Sequence, residues 1–111
     1  MKVLHRSAIT ISYKKPFIDW NNKLFPDLPM KENVCGESKT YLIDNLHDNA
    51  EDVIKKYYKI VFETELEGVC TDENEWPRKL SVKLFNEWFS CEISDWVLDL
   101  SKKRIIDTNT F

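Results

Sequence analysis

Few residues of this 111-residue chain have types and spacings that could do chemistry. Cys70 is followed by Thr71 and Asp72, and Asp99 stands between Leu98 and Leu100. A thiol attacks only as the thiolate, so Cys70 would need a histidine, a cation or a helix N-terminus beside it. His5 and His47 stand at no diagnostic distance from any cysteine, and burial as a small apolar side chain is the simpler fate. Asp99, like Asp19 beside Trp20, has apolar neighbours of the kind that tune a carboxyl group for acid–base work. A hydrogen bond to a helix start or to an indole N–H explains such carboxylates more economically. Three cysteines and two histidines suffice in number for zinc, yet no C-x-x-C or H-x-x-x-H pair supplies a local half-site. The stretch TDENEW lacks the glycine and the ligand periodicity of a calcium loop. With no glycine-rich phosphate loop and no G-x-S-x-G, no cofactor or metal is expected.

A binding face is easier to find than a catalytic one. Between residues 63 and 75 lie Glu63, Glu65, Glu67, Asp72, Glu73 and Glu75, with no lysine or arginine among them. Like-signed charge on one face speeds association with a complementary partner, which here would be a basic protein. The competing account is a solvated helix end and loop, partly neutralised by Lys55, Lys56, Lys59, Arg78 and Lys79. Trp76, followed by Pro77 in a polar connection, is either a plug under the helices or an exposed anchor. The candidate binding residues are therefore Glu67, Cys70, Asp72, Glu73, Glu75 and Trp76.

The elements that must position these residues follow from composition and periodicity. With 42% hydrophobic and 13% aromatic residues the chain can form one core, and two glycines and four prolines leave little for linkers, so residues 1–111 are expected to make one domain. A formal charge of -3 and a pI near 5.4, without a basic stripe interleaved with aromatics, argue against nucleic acid as a partner. The start of the chain has no secretory apolar run, and no long apolar run suggests a membrane span. Cys35, Cys70 and Cys91 are odd in number and widely spaced, which suits a reducing compartment, and the chain is expected to be cytoplasmic.

Residues 8–13 alternate as a half-buried strand, with Ile9, Ile11 and Tyr13 on one side. Pro16, Phe17, Trp20 and Leu24 predict a short helix that must stop by Pro26, and residues 39–44 a second strand. Asn49 caps a helix over residues 50–67, with Val53, Tyr57, Ile60, Val61 and Leu66 on its apolar face and Gly68 at its exit. Ser81 caps a shorter helix carrying Val82, Phe85, Trp88 and Phe89, and residues 91–100 form the last strand. The order β-α-β-α-α-β predicts an α+β fold: a small three-stranded sheet with helices packed on it, the first two strands joined by a right-handed parallel crossover if they are neighbours. Residues 101–111 read as a loosely docked tail.

The order and spacing of Pro16-Phe17-x-Asp19-Trp20, Tyr41-Leu42-Ile43, Phe62-Glu63-x-Glu65-Leu66, Cys70-Thr71-Asp72, Trp76-Pro77, Phe85-x-Glu87-Trp88-Phe89 and Val97-x-Asp99-Leu100 span most of the chain. This pattern resembles a family of small, uncharacterised bacterial cytosolic proteins of about this length, with no established activity. The resemblance implies a compact domain and no mechanism. Where those relatives have a histidine in the last strand this chain has Ser94, which removes a histidine-dependent role at that position.

Two functions follow as expectations. The first is a non-catalytic protein-interaction domain using its acidic face. The alternative is a small enzyme or ligand-binding protein with a site around Cys70, Asp72 and Asp99. A homodimer sharing surplus aromatic surface is compatible with the first.

Overall fold

The computed structural model describes residues 1–31, 37–44 and 49–103; Cys35, His47 and the last eight residues lie outside them. Strand β1 (Lys2–Leu4) precedes β2 (Arg6–Tyr13), the central strand of the main sheet. Helix α1 (Lys15–Leu24) follows, with Pro16 in its first turn, where a missing N–H costs nothing. Strands β3 (Ser38–Asp44) and β4 (Phe89–Ser94) flank β2, and both pairings are antiparallel. The parallel crossover expected for the first two strands is therefore absent. Ser38 pairs with Ser12, so β3 begins at the end of the sheet where β2 finishes.

Helix α2 (Ala50–Val69) begins as its residues dictate: the Asn49 carboxamide oxygen accepts from the Asp52 N–H at 2.9 Å, with Glu51 and Asp52 in the positively polarised first turn. It runs two residues past the expected end at Glu67. Gly68 lies inside the last turn rather than beyond it, and no glycine among the described residues has a positive φ. The exit is at Cys70, whose extended backbone donates its N–H to the Leu66 carbonyl at 2.8 Å. Helix α3 (Val82–Trp88) starts at Ser81, whose hydroxyl accepts from the Leu84 N–H at 3.1 Å.

The expected last strand divides. The chain bends at Asp95, whose carboxylate accepts from the Ser7 hydroxyl at 3.3 Å, and β5 (Val97–Asp99) leaves the main sheet to pair with β1. The result is an α+β fold with a three-stranded sheet, β3-β2-β4, and a two-stranded ribbon, β1-β5. A three-residue terminal strand such as β1 has too little periodicity to be seen without its partner.

All three helices contribute to one apolar layer against one face of the main sheet. Ile9 and Ile11 of β2, Ile43 of β3 and Phe89 of β4 meet Phe17 of α1, Val53, Val61, Phe62 and Leu66 of α2, and Phe85 of α3. Phe62 joins α2 to this layer: its ring lies 5.2 Å from Phe89, 5.6 Å from Trp88 and 6.0 Å from Phe85, in the tilted and edge-on geometries that aromatic quadrupoles favour. Ile60, expected on the buried stripe of α2, is 64% exposed. The stripe instead follows Val53, Val61, Phe62, Glu65 and Leu66, the side that faces the sheet.

Glu65 is the main surprise of that stripe. Its place in an acid-rich run predicts a surface residue, yet it is 2% exposed. The inner face of the sheet supplies the reason. Tyr13 of β2 donates its hydroxyl to Glu65 Oε1 at 2.6 Å, Lys39 of β3 donates its ammonium to the same oxygen at 3.0 Å, and Tyr41 of β3 donates to Oε2. Three donors and one opposite charge replace the water that a buried carboxylate loses. Among the described residues no buried side-chain nitrogen or oxygen lacks a partner.

Burial and the hydrogen bond to Glu65 hold both tyrosine hydroxyls well above their ordinary pKa of 10.0. A raised folded-state pKa gives stability that is intact below the unfolded value and is lost as pH climbs past it. The urea midpoint should therefore fall above about pH 10, and the fall should be shallower in the Tyr13→Phe/Tyr41→Phe double variant, itself less stable at neutral pH. Parallel pH profiles for the two proteins would refute this linkage. Glu65→Leu leaves two half-buried tyrosine hydroxyls without their acceptor, while the largely exposed Lys39 ammonium turns to water, and should cost about 1–3 kcal/mol in urea denaturation at pH 7.

Candidate functional site

The acidic residues are positioned from two directions. Glu63 and Glu67 lie one turn apart on α2, turned away from the buried stripe to which Glu65 belongs. Beyond the helix, Asp72 caps a single 3-10 turn, Glu73–Glu75, its carboxylate accepting from the Asn74 N–H at 3.0 Å. The Glu75 and Trp76 N–H groups close that turn on the carbonyls of Asp72 and Glu73. Two indoles then pin the connection. Trp76 donates its Nε1–H to the Cys70 carbonyl at 2.8 Å, and Trp20 of α1 donates to the Glu75 carbonyl at 2.9 Å. The polar connection is thus tied to the C-cap of α2 through Trp76 and to α1 through Trp20.

Between α2 and the turn lies an open hollow of about 330 Å3, lined by Glu63, Glu67, Asp72, Glu73, Thr71, Asn74 and the ring of Trp76. A second hollow of about 400 Å3 shares Glu63, Glu73 and Trp76 but is bounded by Lys59, Arg78 and Lys79. Trp76 therefore stands between an acidic and a basic depression. Neutralisation is slight on the acidic side. Lys59 approaches Glu63 at 3.9 Å, whereas Glu67, Asp72, Glu73 and Glu75 make no ion pair among the described residues.

Of the sequence candidates, Glu67, Asp72, Glu73 and Trp76 come together around the first hollow, while Glu75 and Cys70 lie beside it and outside its lining. Trp76 is half-buried and packs against the core with its N–H already used, so it plugs the connection and shows the hollow only part of its ring. Cys70 is half-buried, its thiol donating weakly to the Asp72 carbonyl at 3.9 Å. Asp99 belongs to the ribbon, opposite Lys2, and accepts from the Ser101 N–H at 2.9 Å. The hollow that Asp72 lines contains neither Cys70 nor Asp99. Asp19 is exposed and pairs with Lys15 at 3.3 Å, one turn away. Among the described residues no three histidine, cysteine, aspartate or glutamate side chains converge as metal ligands would.

Sequence reasoning missed the polar cluster of Glu65, Tyr13, Tyr41 and Lys39. The available signal was position: Glu65 follows Val61 by four residues and immediately precedes Leu66, on the apolar side of the helix. A small hollow of about 90 Å3 opens beside this cluster, lined by Ile11, Tyr13, Glu37, Ser38 and Lys39. Every side-chain oxygen of Glu65 is already bonded within the fold, so its role in this arrangement is to fasten α2 to β2 and β3.

Comparison with known proteins finds no matching family model, curated protein or solved structure.

The two described thiols lie in different settings. Burial, with a smaller contribution from Glu92, pushes the Cys91 thiol up to about 11. Its thiolate is scarce at pH 8, so alkylation of Cys91 by iodoacetamide should be slower in the native protein than in urea by roughly tenfold or more. Peptide mapping reads that ratio, and equal rates would show Cys91 to be open to solvent.

Proposed function

We propose that this chain is a non-catalytic protein-interaction domain that docks a basic segment of a protein partner in the acidic hollow between α2 and the 73–75 turn. The observation that carries the reading is charge placed where it opposes the fold. Glu67 stands in the last turn of α2, which contains no basic residue. There the backbone carbonyls already present the negative end of the helix dipole, and a carboxylate costs stability of about 0.3–1 kcal/mol instead of adding it. Asp72 and Glu73 add their charge across the hollow without ion-pair partners among the described residues. Local departures from the stabilising choice concentrate where function demands them.

The rest of the geometry supports docking rather than catalysis. The hollow is open, its backbone is pinned by two indoles, and its walls offer several carboxylates to a cation without a neighbouring nucleophile–base pair. A lysine or arginine entering it would meet Glu67 and Glu73 together, with the Trp76 ring beside its aliphatic stem. A reducing, cytoplasmic setting belongs to the same reading, supported by the free thiols of Cys70 and Cys91.

Changing Glu67, Glu73 and Glu75 to Lys together with Asp72→Asn, which keeps the cap, should abolish co-purification of the partner from native cells. It should also weaken binding of the recovered partner at least tenfold, with a smaller salt dependence than the unaltered domain shows. Glu67→Lys alone should raise the urea midpoint slightly while lowering affinity. Unchanged co-purification by the folded quadruple variant would remove the acidic face from consideration.

A further inference from the structure

The β1-β5 ribbon is two-sided. Alternation puts Leu4, Val97 and Asp99 on its half-buried side, and Val3 with Leu98, direct partners in the register, on its outer side. Met1 and Leu100 extend that outer face by the same two-residue period, and Trp96 adds to it from the bend before β5. The exposures are unusual for such side chains: 85% for Met1, 80% for Trp96 and 78% for Leu100. Five large apolar side chains there expose on the order of 500 Å2, as much as the largest patch on a typical monomer.

We infer that a second copy of this chain covers this face in a two-fold dimer. Charge and symmetry select a copy over other occupants. The five side chains are themselves uncharged, and the ribbon's own charged pair, Lys2 opposite Asp99, belongs to the other alternation. The α-ammonium of Met1 stands at the strand end, where the pairing described next sets it over Leu100 of the partner subunit, so among the described residues of the ribbon two copies meet without opposing like charges. An anionic membrane surface or a nucleic acid is held by clusters of cations, and the five side chains of this face supply none. Because β1 and β5 are antiparallel and in register, a two-fold axis along the ribbon lays β1 of each copy over β5 of the other. Val3 then faces Leu98 of the partner subunit and Leu98 faces Val3 of the partner subunit, the reciprocity that an isologous interface requires. Two such patches remove on the order of 1,000 Å2 from water, enough for a specific interface. This face lies on elements separate from the acidic hollow, so dimerisation and partner docking can fail independently.

Sedimentation equilibrium of the full chain at about 100 µM should give twice the 13.2 kDa of one chain. Trp96→Glu and Leu100→Glu, each at an exposed position, should keep the far-ultraviolet circular dichroism of the unaltered protein and raise the dimer dissociation constant by roughly thirtyfold or more. A monomer in the unaltered protein, including one captured by anionic vesicles, overturns the inference, as does a dimer that survives in either folded variant. If Trp96→Glu does not fold, Leu100→Glu alone decides.

Discussion

The constraint on which most of this structure depends is a carboxylate placed where water cannot reach it. Glu65 projects from the buried stripe of α2 onto the inner face of the sheet, and burying its charge would be prohibitive without replacement solvation. Tyr13, Tyr41 and Lys39 supply that replacement from two adjacent strands. Their donors can converge on Glu65 only when β2 and β3 are in the observed register, because a one-residue slip would turn Tyr41 and Lys39 to the opposite face. The surrounding apolar contacts are non-directional and would tolerate other arrangements more readily. The polar cluster therefore fixes which face of α2 meets the sheet, and with it the direction in which Glu63 and Glu67 point.

The acidic side inherits its rigidity from this anchorage and from two tryptophans. Trp20 and Trp76 bury most of their rings against the aromatic layer and spend their single N–H donors on backbone carbonyls of the connection. An indole can do both because its body is apolar and its edge carries one donor. The connection after α2 is thus held by the core without entering it, and its carboxylates remain in solvent. Stability and exposed charge are separated along the chain by only a few residues, from Glu65 to Glu67.

Much of the fold is legible in the residues. The caps at Asn49 and Ser81 act on the backbone groups nearest to them, so local chemistry suffices to place both helix starts. The alternation through Ile9 and Ile11 likewise identifies the central strand and its buried face. The candidate site is legible in part: Glu67, Asp72 and Glu73 meet around one hollow, while Cys70 and Glu75 lie just beyond its lining. What local patterns miss depends on partners distant in sequence. Strand β1 exists because β5 pairs with it, and residues 91–100 break in two because Asp95 is held by Ser7, eighty-eight positions away.

The sequence by itself determined the types of the longer elements, the aromatic core and the excess of negative charge near the end of α2, because propensity, capping and composition act over a few residues. Only the tertiary structure decided that the strands run antiparallel, that Glu65 is inside while Glu67 is outside, and that Trp76 is pinned while Trp96 stands free. Each of these is a choice between two faces or two directions that local energetics leave nearly equal. Contacts between residues remote in the chain break the tie.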